Sequence, residues 1–360
     1  MAFYWGSCNI LFEGLAIAIV DRESDKHWDE EAEWVLASYG ISGAKLSKVT
    51  DGLINLTFEV ADETGSRFIL QKVSEIFKPS VNKKVAEVTV HLRECGVLSP
   101  KIIPSRNREN YVERNGNVWR LYEYIPGYSK RVFTSPEEAY SAGKALAEFH
   151  EGLKSFDVRL LASDRPHIHD FSLHLNRLEE TLSHSNSHRF YPQCCELRKR
   201  IKLLASRIPY FDSGPLIAAH GDPKVSNILF SAELNSVVCF IDLDTVGLVP
   251  HALELGDAMR SWCNPFPEDS SSSLFKMEHY KAALDGYNLV GSGDGLYESV
   301  LPATLQIYVE LASRFLADVI HESHFGWDEK IYESAASHNL ARASAQVLAA
   351  ESLASHIMEN

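Results

Sequence analysis

Two short stretches carry residue types whose spacing could do chemistry. Ala218–Phe230 holds His220-Gly221-Asp222-Pro223-Lys224-Val225-Ser226-Asn227, and Cys239–Thr245 holds Ile241-Asp242-Leu243-Asp244. An apolar run enters a polar loop, a second leaves it, and a third ends on a pair of carboxylates. An Asp beside a hydroxyl can take its proton, an Asn five residues on can ligate Mg²⁺, and a strand-end Asp adds a second metal ligand. Phosphoryl transfer asks for little more, since positioning and charge neutralisation carry most of it. These residue types at this spacing make Asp222 a candidate catalytic base and Asn227 with Asp242 candidate Mg²⁺ ligands, with Asp244 a further or supporting metal group. A plain hairpin explains a lone Gly-Asp turn; it leaves the amide and both carboxylates unexplained together.

The elements around this hairpin follow from periodicity. Residues 27–39 carry apolar side chains near helical spacing and stop at Gly40. Strands are expected over Leu46–Thr50, Leu56–Ala61 and Arg67–Val73, and a helix over 81–94. The turn Asp51-Gly52-Leu53-Ile54-Asn55 can offer backbone N–H groups to phosphates, or simply close a hairpin. In the third strand Lys72 is the cation, but Gln71 points to the opposite face, and the pattern leaves open which of the two meets a phosphate. Residues 117–127 read as a strand halted by Pro126-Gly127. Ser135-Pro136 opens a helix that runs to about His150, with Gly143 on its packed face. Another helix is expected at about 194–207. A lid-like composition follows at 264–274, and two long helices come last, at about 302–321 and 334–357. On these, Glu310, Arg314 and Asp318 form one ladder and Asn339, Arg342 and Gln346 another. Each is either a wall for substrate hydroxyls or an ion-paired stripe. Asp257 and Arg260, three apart, are placed to pair with each other.

Composition narrows the partners. A chain of 360 residues with 45% hydrophobic and 23% charged content and a formal charge of −14 is long enough for two packed parts. It lacks the basic footprint that nucleic acid demands. The six cysteines show no metal-ligand spacing, and Cys194-Cys195 are adjacent, so reduced thiols in a cytoplasm are expected. Residues 9–20 are apolar but too short for a membrane span and have no basic residue before Arg22. Residues 1–24 are therefore expected to be an extension without fixed structure. His167, His169, His174, His184 and His188 match no metal-site spacing.

The loop H-G-D-x-x-x-x-N followed by Asp-x-Asp resembles that of the aminoglycoside phosphotransferase and choline kinase superfamily. Gln71-Lys72-Val73, Ile241-Asp242-Leu243-Asp244-Thr245, Gly256-Asp257-Ala258-Met259-Arg260, Arg314-Phe315-Leu316-Ala317-Asp318 and Asn339-Leu340-Ala341-Arg342 look most like the N-acetylhexosamine 1-kinase pattern. The resemblance implies a protein-kinase-like α/β (α+β) fold. A small antiparallel-sheet lobe (25–125) would join a larger, mainly helical lobe (126–360) through a hinge at about 121–127. It implies ATP and Mg²⁺ as cofactors, with Gly52, Asn55 and Lys72 at the phosphates and Glu123 and Ile125 at the adenine. It also implies Asp222, Arg260, Arg314 and Asn339 at the acceptor. The acceptor expected is a sugar hydroxyl, with an aminoglycoside or an amino alcohol such as choline as the alternative. The reading from another class is a nucleotide-binding module without catalysis. No membrane or nucleic-acid partner is expected, and oligomeric state is not encoded in any motif.

Overall fold

A computed structural model describes residues 23–49, 55–161, 169–233, 236–291 and 297–358. Residues 1–22, which hold nearly all of the expected extension, and Gly52 of the expected phosphate turn lie outside the described residues.

Helix α1 (Glu23–Tyr39) covers one face of a sheet made from β1 (Lys45–Val49), β2 (Leu56–Ala61), β3 (Arg67–Val73) and, after α2 (Val81–Glu94), β4 (Ile102–Ile103), β5 (Val112–Arg114) and β6 (Asn117–Glu123). The order is β1-β2-β3-β6 with all neighbours antiparallel, and β4 and β5 lie end to end along β6. Strand parity sorts the side chains between two cores. Phe58, Val60, Leu70, Trp119 and Leu121 join Ala32, Val35 and Leu36 of α1 in a compact cluster. Val73 and Tyr122, on the opposite face, belong to the larger core of the helical part. The register Gln71↔Arg120 follows from the β3–β6 pairing. Both residues therefore point toward the helical part, while Lys72 shares the face of Leu70.

The rest is mainly helical. After β7 (Tyr128–Ser129) come α3 (Pro136–Leu153), α4 (Phe171–Ser183) and α5 (Tyr191–Arg207), then β8 (Leu216–Ala219), β9 (Ile228–Phe230), β10 (Val237–Phe240) and β11 (Gly247–Pro250). Helices α6 (His251–Trp262), α7 (Met277–Asn288), α8 (Tyr297–His321) and α9 (Ala335–Met358) complete the chain. Strands β10, β9 and β7 form one small sheet and β11 with β8 another. Helix α3 begins with Pro136 after Ser135, as expected, and passes His150 to reach Leu153. Helix α8 begins five residues before the expected start and carries Pro302 inside it. Helix α7, which the periodicity did not single out, packs against α3 through two glycines. A Cβ on Gly143 would lie 1.9 Å from the Ala283 carbonyl oxygen, and one on Gly286 would lie 2.1 Å from that of Tyr140. Among the described residues no helix is long and apolar enough to cross a membrane.

Candidate active site

The polar loop between β8 and β9 is held from behind by one buried carboxylate. Glu254 of α6 accepts hydrogen bonds from the His220 and Gly221 N–H groups, each at 3.0 Å. The His220 ring is buried and bonds the Ile241 carbonyl at 2.9 Å, while Thr245 Oγ1 donates to the His220 carbonyl at 3.0 Å. Gly221 has φ +78, and a Cβ there would meet the Thr245 oxygen at 2.5 Å. Only glycine allows that backbone and that approach together. The loop of residues 220–222 and the loop of residues 242–245 are thus sewn to each other. Ile241 N–H also donates to the Asn227 carbonyl at 2.9 Å, so the strand leading to Asp242 runs beside Asn227.

Within this frame Asp222 Oδ2 accepts from Lys224 Nζ at 2.5 Å and from Asn227 Nδ2 at 3.1 Å. Burial would raise the Asp222 carboxyl, but the charges of Lys224 and Arg260 outweigh it and hold the group below the usual carboxylate range. It is therefore an ionised base at neutral pH. Lys224, in turn, is kept protonated against burial by Asp222 and Asp242. Asp242 lies in the left-handed region at φ 62, ψ 57, which Asp tolerates better than most residues. Burial, and then the charge of Asp244, push its carboxyl up to about 6. A carboxylate at the end of the strand that runs beside Asn227 is, with that amide, a donor set suited to Mg²⁺ that also keeps phosphate oxygens and water. Among the described residues no three His, Cys, Asp or Glu side chains form a metal-holding group by themselves.

Several sequence-derived assignments change place. Asp244 is buried, and its oxygens are taken by Arg120 Nη1 at 2.5 Å, Arg120 Nη2 at 2.8 Å and Asn55 Nδ2 at 3.0 Å. It supports the loop, and its oxygens are not offered to a metal. Asn55 also accepts the Ser74 N–H at 2.8 Å, so it ties the end of β3 to residue 244. Lys72 has its Nζ 4.2 Å from the Trp28 ring centroid, on the α1 face. It does not reach the face that looks toward the hairpin. Gln71 is on that face and accepts two hydrogen bonds from Arg120, at 3.1 and 2.7 Å. Glu123 pairs through its side chain with Arg93 at 2.8 Å, and its N–H donates to the Lys101 carbonyl at 2.9 Å. Ile125 is buried at the start of the connection into the helical part.

On the acceptor side Arg260 is close enough to lower the Asp222 carboxyl, and it pairs with Asp257 at 3.1 Å and Glu268 at 3.3 Å. Arg314 is partly exposed and lies 3.9 Å from Glu310. Glu310 Oε1 is 3.4 Å from His169 Nδ1, and its Oε2 makes no hydrogen bond among the described residues. Asn339 is fully buried, donates to Asp318 at 3.0 Å and accepts from Arg342 at 3.3 Å, so it braces α8 against α9 and forms no pocket wall. Asp318 receives the Ser323, His324 and Phe325 N–H groups and shapes the turn after α8.

Residues 45–288, more than half of the chain, match the model of the phosphotransferase enzyme family. The chain belongs to that family. The expectation of a phosphotransferase is met, and the solved structures agree in fold. Over 91% of this phosphotransferase and 93% of amicoumacin kinase hAmiN, solved in complex with AMP-PNP, Ca²⁺ and Ami, the TM-score is 0.62 at 15% identity. An aminoglycoside phosphotransferase from Alicyclobacillus acidocaldarius gives 0.60 at 17% identity, covering 91% of this chain and 96% of that one. A Plasmodium vivax ethanolamine kinase gives 0.60 at 15% identity, covering 92% and 90%. The phosphotransferase thus has the expected α+β, kinase-like architecture.

Three residues of the candidate site were not singled out from sequence. Lys224 had a signal, since it stands two positions after Asp222 in the same loop. Glu254 and Arg120 had none: each works through folding that joins distant segments.

Proposed function

We propose that this phosphotransferase moves the γ-phosphoryl group of ATP onto a hydroxyl of a small molecule, a sugar first among the candidates, in the cytoplasm. The single observation that carries the reading is the ionised Asp222 fixed by Lys224 and Asn227 in a loop bonded to the one that presents Asp242. ATP would lie between the sheet part (25–125) and the helical part (126–360), with adenine near Glu123–Ile125. Asp222 accepts the proton of the acceptor hydroxyl. Lys224 keeps Asp222 ionised and brings a positive charge to the place where the phosphoryl oxygens would be. Asn227 and Asp242 would hold Mg²⁺, which when bound neutralises charge on the phosphates. Arg260 and Arg314, with Glu268 and Glu310, offer donors and acceptors to several hydroxyls at once, a mixture that favours a neutral polyol.

The second reading is an amino-alcohol or aminoglycoside acceptor. The half-exposed Glu268 favours it, since its carboxylate could meet an ammonium. A binding module without turnover would not need a base, and Asp222, Asn227 and Asp242 are all present. The test is ADP release with ATP and Mg²⁺ against a panel of sugars, amino alcohols and aminoglycosides. Turnover with a sugar alone supports the first reading, and turnover confined to cationic acceptors selects the second. Mg²⁺-dependent ATP binding with no turnover on any acceptor would leave only the binding module.

A further inference from the structure

In protein kinases a lysine on the third strand, paired with a glutamate on the following helix, has to be in place before the phosphates are held productively. Here that arrangement is broken on both sides. The β3 lysine, Lys72, stands on the α1 face over Trp28, and the inward position of β3 is the neutral Gln71. From α2 it is Asn82 that faces the same point, accepting from Arg120 Nη1 at 3.4 Å. The buried cation of the sheet part is Arg120, on β6. All three of its nitrogens are engaged, with Gln71, Asn82 and both oxygens of Asp244, and neither partner of the ion pair is exposed by more than 1%. Two further groups from the sheet part reach the same loop. Asn55 donates to Asp244, and Lys84 of α2 donates to the Val246 carbonyl at 2.8 Å. Asp242, two residues before Asp244, sits in a left-handed conformation at the head of that loop.

We propose that Arg120 is a positioning residue for Asp242: by clamping Asp244 with both guanidinium arms it fixes the 242–246 loop from β6, while Lys72, turned to the opposite face of the sheet, is dispensable. This rests on the reading of Asp242 as a metal ligand. Three observations support it: the parity of β3 that turns Lys72 away, the bidentate geometry of Arg120 at Asp244, and the further bonds of Asn55 to Asp244 and of Lys84 to the Val246 carbonyl. A guanidinium suits the task because its planar fork can hold a carboxylate and an amide oxygen at once.

The test measures Mg²⁺-dependent ADP binding by calorimetry and ATP turnover by ADP release, on the full chain. Arg120→Met should raise the half-saturating Mg²⁺ concentration for ADP binding at least about tenfold, because the metal ligand is no longer fixed. Arg120→Lys should recover part of that loss. Since Arg120→Met strands a buried carboxylate and could unfold the protein, the double variant R120M/D244N is measured beside it. With no charge left in the pair it should fold, yet still demand more Mg²⁺ than the wild type. Lys72→Ala should leave both the Mg²⁺ requirement and the KM for ATP within about twofold. A folded double variant with the wild-type Mg²⁺ requirement would overturn the proposal, and so would a tenfold rise in KM for ATP in Lys72→Ala. Wild-type protein that binds ADP with no Mg²⁺ dependence would remove the metal reading itself and the proposal with it.

Discussion

On the sheet side of the polar hairpin the Arg120 and Asp244 charges are closed upon one another, and around α8 and α9 several buried polar atoms are not. Every nitrogen of Arg120 has a partner, and so have both oxygens of Asp244. Around α8 and α9, Glu310 Oε2, both ring nitrogens of His169 and Gln346 Oε1 are buried without a hydrogen bond among the described residues. Buried polar atoms are normally satisfied, and each exception calls for an explanation. The closed network holds a loop in place whether or not substrate is present.

The contrast has meaning only if Asp222, between the two networks, is the base. Asp222→Asn should lower kcat by roughly 10²–10⁴-fold, read as ADP release with a true acceptor; unchanged turnover would remove the centre on which both sides converge. Next in size is stability. Arg120→Met leaves Asp244 buried and unpaired and should cost about 3–5 kcal/mol, whereas Arg314→Met, at a partly exposed and loose pair, should cost less than about 1 kcal/mol. Urea midpoints compare the two, and equal losses would erase the distinction between a closed and an open network.

A smaller effect concerns pH. The Asp242 carboxyl sits near about 6 in the folded protein, above its ordinary 3.8. Its protonated form is therefore favoured by folding, and the contribution, full at low pH, is lost as pH rises through about 6. Without metal, wild-type stability relative to Asp242→Asn should fall by about 1–2 kcal/mol between pH 4 and pH 7, the group being partly exposed. A difference that stays flat over that window would mean that the carboxyl ionises as it does in water. The smallest expected change is in Glu310→Gln, which should raise the acceptor KM by about fivefold, roughly 1 kcal/mol, with little change in urea midpoint. A lower midpoint with an unchanged KM would move Glu310 into the closed class.

The closeness of the polar loops was legible because its signal is local. Asp222 and Asn227 precede β9 and Asp242 follows β10, the two antiparallel strands of one hairpin, so residue order alone places them at the same end. The two long C-terminal helices were legible for the same reason, their periodicity running over many turns. What the sequence hid depended on parity and on distant pairing. Gln71 and Lys72 are adjacent, and one step of strand register decides which faces the hairpin. Arg120 reads as one polar residue in a strand until β6 is laid beside β3 and Asp244 is brought across from the far part of the chain. Asn339 shares a helical stripe with Arg342, which made it look like a pocket residue. Its neighbour Asp318 on α8 turns it into a strut, and no single-helix pattern contains that fact. Glu254 lies three residues before Asp257, and only the folded loop reveals that it grips two backbone amides.

The glycine contact between α3 and α7 has a consequence for natural variation in this chain. Each helix presses its bare backbone onto a carbonyl of the other, Gly143 on Ala283 and Gly286 on Tyr140, so even one methyl group has nowhere to go unless the rods separate. A Gly143→Ala or Gly286→Ala allele would thus destabilise the fold, by about 1–3 kcal/mol or more, while touching none of the polar loops. A survey of inactive alleles should find hits at these two silent-looking positions, remote from any chemistry.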